Sequence, residues 1–91
     1  MNKSELIRTL AEQKDLHIDE AAAIVNAFVD TIKDSLRRGD RVEIRGFGSF
    51  KIKDYKGYTG RNPRTGEIVD VNPKRLPFFR AGKDLRDYVN M

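Results

Sequence analysis

Between Asp54 and Lys74 the chain has two stretches suited to extended backbone, joined by Asn62-Pro63-Arg64-Thr65-Gly66. Asn opens a turn well, Pro presets φ at the next position, and Gly takes positive φ at the exit. Gly57 and Gly60 loosen the first stretch, while Ile68, Val69 and Val71 give the second its strand propensity. The pattern predicts a two-stranded ribbon with its tip at Pro63-Arg64. About nine residues per strand at roughly 3.3 Å each gives an arm of roughly 30 Å. Few residues along it can build a core, and a lone two-stranded ribbon is marginal in water. Such an arm must project from a body and is expected to be mobile until something binds it.

The body is predicted from the flanking segments. Asn2 followed by Glu5 is a helix-capping pair, and Leu6, Ile7, Leu10 and Ala11 then recur at helical spacing. Asp15-Leu16-His17 breaks that pattern. A longer helix follows, with Asp19 and Glu20 near its positive end and an apolar stripe through Ile24, Val25, Phe28, Val29, Ile32 and Leu36. Arg37 and Arg38 fill its last turn, and Gly39 supplies a left-handed cap. The period then falls to two. Val42 and Ile44 alternate with charges, Gly46-Phe47-Gly48 reads as a tight turn, and Phe50 and Ile52 continue the alternation. After the ribbon, Leu76, Phe78 and Phe79 predict a further strand, placed at a sheet edge by Pro73 and Pro77. A short helix after Gly82 carries Leu85, Tyr88 and Val89 on one face. The class is α+β.

Ninety-one residues make a single domain, 1–91, or half of one, with the arm at approximately 54–74. Charged residues are 35% against 38% hydrophobic, so a large private core is not expected, and no cysteine is present to staple a thin one. Dimerisation is the remaining common route to enough buried surface. No segment reads as a signal peptide or a membrane span, which makes cytosol the default. Charge is unevenly spread. Residues 1–50 carry eight Lys/Arg against nine Asp/Glu, residues 51–80 carry eight against three, and residues 81–91 balance. A positive field confined to the ribbon and its flanks points to a polyanionic partner.

The tip has its own chemistry. Arg61 and Arg64 flank Asn62 and Pro63, which holds a rigid apolar ring between two cations. That suits a minor-groove wedge, with the arginines in the negative groove and the ring between base pairs. Taken alone, the same residues also make an ordinary turn.

Gly46-Phe47-Gly48-Ser49-Phe50 and Gly60-Arg61-Asn62-Pro63-Arg64-Thr65-Gly66-Glu67, with a basic strand between them, resemble the signature of the bacterial HU and integration host factor (IHF) family. The likeness continues through Met1–Ile7, Arg37–Asp40 and Ala81–Arg86. Arg41–Phe50 and Gly82–Asp87 look most like the IHF β-subunit. The resemblance implies an intertwined dimer with a helical base, a β-sheet saddle and two long β-ribbon arms around double-stranded DNA. The partner subunit would be an identical or a related chain. The implied activity is DNA bending in support of nucleoid organisation, transcription, replication or recombination. Carried over by position, Pro63 would intercalate, with Arg61, Asn62 and Arg64 at the minor groove. Lys51, Lys53, Lys56, Lys74, Arg75 and Arg80 would meet phosphates, and Lys3 and Lys83 would clamp the flanks near helix N-termini. Phe47, Phe50 and Phe79 would pack the dimer core. Arg45, beside Gly46, would enter the minor groove and be oriented by Glu43 on the same strand face, a possible specificity pair. Ala81 departs from the proline that many relatives have there.

Other classes fit poorly. His17 is the sole histidine and falls between helices, the carboxylates are scattered, and neither Gly46-x-Gly48 nor Gly60…Gly66 has the context of a nucleotide loop. No enzyme, metal site, cofactor, small-molecule substrate or membrane association is expected. A basic protein binding RNA or polyanions in general is the alternative. RNA readers usually present aromatic stacking platforms, and only Tyr55 and Tyr58 are placed to be exposed. The second helix lacks a basic base-reading face near its start, which argues against a helix-turn-helix.

Overall fold

A computed structural model describes all residues, Met1–Met91, in the order α1 (Lys3–Lys14), α2 (Ile18–Arg37), β1 (Val42–Ile44), β2 (Gly48–Tyr55), β3 (Tyr58–Arg61), β4 (Ile68–Val71), β5 (Lys74–Ala81) and α3 (Lys83–Val89). Two compact units make up the chain, Met1–Ser35 and Leu36–Met91. No helix is long and apolar enough to cross a membrane.

In the first unit, Asn2 caps α1 as its sequence position predicts. Its Oδ1 accepts the Glu5 N–H at 2.9 Å, a contact typically worth about 1 kcal/mol. α1 ends on Asp15 at φ +51, a left-handed residue whose N–H reaches the Ala11 carbonyl; its short polar side chain makes that conformation tolerable. His17 then opens α2, since its Nδ1 accepts the Asp19 N–H at 3.3 Å and its carbonyl accepts the Ala21 N–H at 3.1 Å. The lone histidine is therefore part of a helix start. Ala11, Ala21 and Val25 are the buried apolar residues here. The predicted stripe of α2 is only partly covered, for Ile24 and Phe28 stay more than half exposed.

In the second unit, α2 closes where expected: Leu36 is buried, and Gly39, at φ +84, donates its N–H to the Leu36 carbonyl at 3.0 Å. β1 pairs with β2 through Val42↔Phe50 and Ile44↔Gly48. The turn sits one residue earlier than the sequence suggested. Arg45-Gly46-Phe47 make it, with the Phe47 N–H on the Ile44 carbonyl at 3.0 Å, and Gly48 already begins β2. Gly48 is needed for space rather than for turning, because a Cβ there would lie 2.6 Å from both the Phe79 ring and the Arg80 carbonyl oxygen.

β5 pairs antiparallel with β2 from Gly48↔Ala81 to Tyr55↔Lys74, giving the order β1-β2-β5. β5 is thus an edge strand, the kind of position to which prolines within sheets are confined. Beyond Tyr55 the ribbon continues as a separate ladder, β3 with β4, from Tyr58↔Val71 to Arg61↔Ile68. The register is the same on both sides of the gap, so no residue is inserted. The single long ribbon of about nine residues per strand is instead two ladders interrupted at Lys56-Gly57 and Asn72-Pro73. Pro73 has no N–H to contribute. Its ring also crowds the opposite strand: a Cβ on Gly57 would sit 2.8 Å from Pro73 Cδ and 2.7 Å from the Val71 carbonyl oxygen.

Alternation divides the three-stranded sheet into two unlike faces. One carries Val42, Ile44, Phe50, Ile52, Pro77 and Phe79; the other carries Glu43, Ser49, Lys51, Lys53, Leu76, Phe78 and Arg80. On the first face Phe79 lies between Phe47 and Phe50, with ring centroids 5.4 Å and 4.8 Å away. Phe47 and Phe79 nevertheless remain 43% and 39% exposed, and no large side chain anywhere in the chain is fully buried. α3 is preceded by its N-cap Gly82, whose N–H bonds the Phe47 carbonyl at 2.9 Å. Of its expected apolar face, Leu85 is half-buried while Tyr88 and Val89 are exposed.

Candidate nucleic-acid interface

The tip is a closed turn. Asn62 donates its N–H to the Glu67 carbonyl at 2.8 Å, and its own carbonyl accepts the Gly66 N–H at 2.7 Å. Its side-chain Oδ1 accepts the Arg64 N–H at 2.9 Å. With Gly66 at φ +73, these bonds hold Pro63 exposed at the end of the ribbon. Arg61 ends β3 and Arg64 follows Pro63; both are exposed and neither makes an ion pair. Below the tip, Thr59 Oγ1 reaches Asp70 Oδ1 at 3.1 Å across the strands, which occupies that acid within the ribbon. A rigid ring between two free guanidiniums is therefore presented on a turn closed by its own hydrogen bonds.

The cations of the ribbon's root fall into distinct groups. Lys51, Lys53, Lys74 and Arg80 share the face opposite the aromatic cluster. Arg75 does not. Its partner position is Asp54, on the apolar-face side of the ladder, and its Nε lies 3.6 Å from Asp54 Oδ1. Arg75 also donates from Nη1 to the Arg37 carbonyl at the end of α2, at 3.5 Å. That partly commits it to the fold. Lys53 is half-buried, its Nζ 3.6 Å from the centre of the Phe78 ring. Lys56 lies in the gap between the ladders and is exposed. Lys3 and Lys83 are the first residues of α1 and α3.

A concave pocket of about 300 Å³ opens beside the β1–β2 turn, lined by Arg41, Glu43, Arg45, Arg80, Lys83 and Arg86 among others. Five cations against one acid make it an anion-receiving surface. Arg86 follows Lys83 by one helical turn, and only the fold brings that pair beside Arg41, Arg45 and Arg80. The proposed specificity pair is arranged differently from the expectation. Arg45 lies in the turn beyond the end of β1, not on the strand face with Glu43, and Glu43 faces Arg41 at 3.8 Å. Arg45 has no ion-pair partner. No group of three or more His, Cys, Asp or Glu side chains converges to hold a metal ion.

Residues 1–90 match the profile of the bacterial DNA-binding protein family. The chain belongs to that family. Among solved structures, Anabaena HU from an HU–DNA cocrystal is 39% identical with a TM-score of 0.86, over 98% of this chain and 97% of that one. HU from Thermotoga maritima is 28% identical with a TM-score of 0.69, over 98% of each chain. A mutant of transcription factor 1 is 27% identical with a TM-score of 0.66, over 99% of this chain and 91% of that one. The fold is thus the HU fold, as the sequence motifs implied. Family membership makes this an architectural DNA-binding protein and not an enzyme.

For an HU-family protein the free cations of the tip should act through counterion release. Replacing Arg61 and Arg64 together by alanine should weaken binding on every duplex. It should also flatten the log–log salt dependence of the binding constant by about 0.9 for each phosphate left without its cation. Anisotropy titrations across a salt series measure this, and an unchanged slope would remove both arginines from the interface.

Proposed function

We propose that the whole chain, 1–91, acts as one half of an intertwined dimer that bends double-stranded DNA by laying two ribbon arms in the minor groove. The observation that carries this reading is the tip: an exposed proline ring between two unpaired guanidiniums, on a ribbon with no core of its own. Pro63 enters between base pairs, and Arg61, Asn62 and Arg64 occupy the groove, whose negative potential favours cations. Lys51, Lys53, Lys56, Lys74 and Arg80 meet phosphates along the root of the arm. Arg75 joins them with its Nη2 while Nη1 ties the root to the end of α2. Lys3 and Lys83, with Arg45 and Gly46 at the pocket, hold the flanking DNA. The protein then serves as a cytoplasmic, nucleoid-associated organiser of DNA for transcription, replication or recombination.

The second subunit is required by packing. Phe47, Phe50 and Phe79 form one cluster that stays partly exposed, and Phe28 and Ile24 lie bare on α2. Full burial of a phenylalanine or isoleucine is worth about 1.5–3 kcal/mol and these are already about half covered, so a partner that covers the remainder of several provides stability this chain lacks alone. An identical chain or a related one can supply that surface. Within the family the likeness of Arg41–Phe50 to the IHF β-subunit supports a sequence-selective role for Arg45. The minor groove carries little direct code, so the preference is for groove width and deformability. In the free protein Glu43 is shared with Arg41, which leaves Arg45 available to the groove.

Sedimentation at micromolar concentration should show a folded particle of twice the chain mass; a folded species near 10.5 kDa would contradict the dimer. Pro63→Ala should lower duplex affinity modestly and reduce bending sharply, read as energy transfer between dyes at the two ends of a short duplex. An unchanged bend would make Pro63 a turn residue only. Selection from random DNA should enrich deformable steps with the wild type and lose that enrichment with Arg45→Ala, most non-specific affinity being retained. Identical, pattern-free pools from both proteins would place the chain with non-specific binders.

A further inference from the structure

The basic face of the sheet is not uniformly basic. Phe78 sits in its middle, paired across the ladder with Lys51 and 38% exposed, where alternation would favour a polar residue. It adds nothing to the aromatic cluster, which lies on the opposite face around Phe79. Its contact is with a cation: Lys53, diagonally across the ladder, has its Nζ 3.6 Å from the ring centroid. Diagonal neighbours on a sheet face are within reach of aromatic and long side chains. Lys53 is also the one half-buried lysine of this face, while Lys51 and Lys74 are exposed.

We propose that Phe78 is a positioning residue that holds the Lys53 ammonium on the DNA-facing side of the sheet before DNA arrives. A free lysine loses up to about 2 kcal/mol of side-chain freedom when it is immobilised. Lys53 has given up part of that in the folded protein, so less remains to be given up at the phosphate. The ring's negative face holds one side of the ammonium, and its remaining N–H donors are free for a phosphate oxygen. The ring also excludes water beside the charge, which strengthens its attraction to phosphate. Phe78 thus acts on DNA through Lys53 and not by stacking on a base. This role rests on the DNA-bending interface proposed above.

The test is a double-mutant cycle on a labelled duplex, with Phe78→Leu, Phe78→Tyr and Lys53→Gln in the full chain. Phe78→Leu should raise Kd severalfold, because the part of the lysine's ordering cost that the ring had already met must then be met at the phosphate. Phe78→Tyr, which keeps the ring, should bind as the wild type does. In the Lys53→Gln background, Phe78→Leu should have no further effect. Equal weakening by Phe78→Leu in both backgrounds, or a Tyr variant as weak as Leu, would overturn the role. A readout without DNA keeps it open to refutation even if Phe78→Leu fails to fold. The Lys53 ε-methylene protons should be shifted upfield by the ring current in the free wild-type protein and equally in Phe78→Tyr. Unshifted Lys53 resonances in the wild type would overturn the positioning role alone, whereas a wild type that bound no duplex would overturn it together with the interface.

Discussion

The antiparallel ladder between Gly48–Tyr55 and Lys74–Ala81 constrains what each face of the sheet carries. Its register assigns each residue of both strands to a face, and a slip of one position would send Phe50 and Phe79 to the side of the lysines. The ladder also sets where the ribbon leaves the sheet, because β3 and β4 continue in the same register beyond Tyr55↔Lys74. Gly48 matters for the same reason. With any side chain there, the ring of Phe79 could not lie across β2, and the strand pairing and the aromatic cluster would compete for one space.

Both units are poor in private core. The chain's buried apolar residues are Ala11, Ala21, Val25 and Leu36, mostly small. Larger side chains are clustered but uncovered. In a domain meant to stand alone this would be a packing failure, since small cores rarely offset the entropy of ordering the chain. In an HU-family protein it is the surface from which an assembly can be built. The interruption at Gly57 and Pro73 has a complementary effect. It removes ladder bonds at the root of the arm without altering register, so the outer strands are joined to the sheet by covalent chain and a weakened ribbon.

Much of this was legible in the residues themselves. The Asn2–Glu5 cap, the Gly39 stop, the edge position of Pro77 and the turn at Asn62–Gly66 each rest on local backbone chemistry that does not depend on distant contacts. The family likeness was equally legible, because it lies in short motifs of fixed spacing. Other features were not. The turn after β1 falls at Arg45-Gly46-Phe47 because Gly48 is claimed by Phe79, a residue far along the chain. The gap in the ribbon needs Gly57 and Pro73 to be diagonal neighbours across the two strands, a matter of register rather than propensity. Glu43 is equidistant in sequence from Arg41 and Arg45, and the strand end chooses Arg41.

By itself, the sequence determined the helices, the strand periods, the basic ribbon and its turn, and the family to which the chain belongs. These follow from local propensity, patterning and charge, which are properties of neighbours along the chain. Only the tertiary structure decided which cations are free and which are occupied. Arg75 is drawn to Asp54 and the end of α2, Lys53 rests on Phe78, and Arg41 and Arg86 join Arg80 and Lys83 around one pocket. The physical reason is that a charge acts through space over a few ångströms, and strand pairing brings together charges that are far apart in the chain.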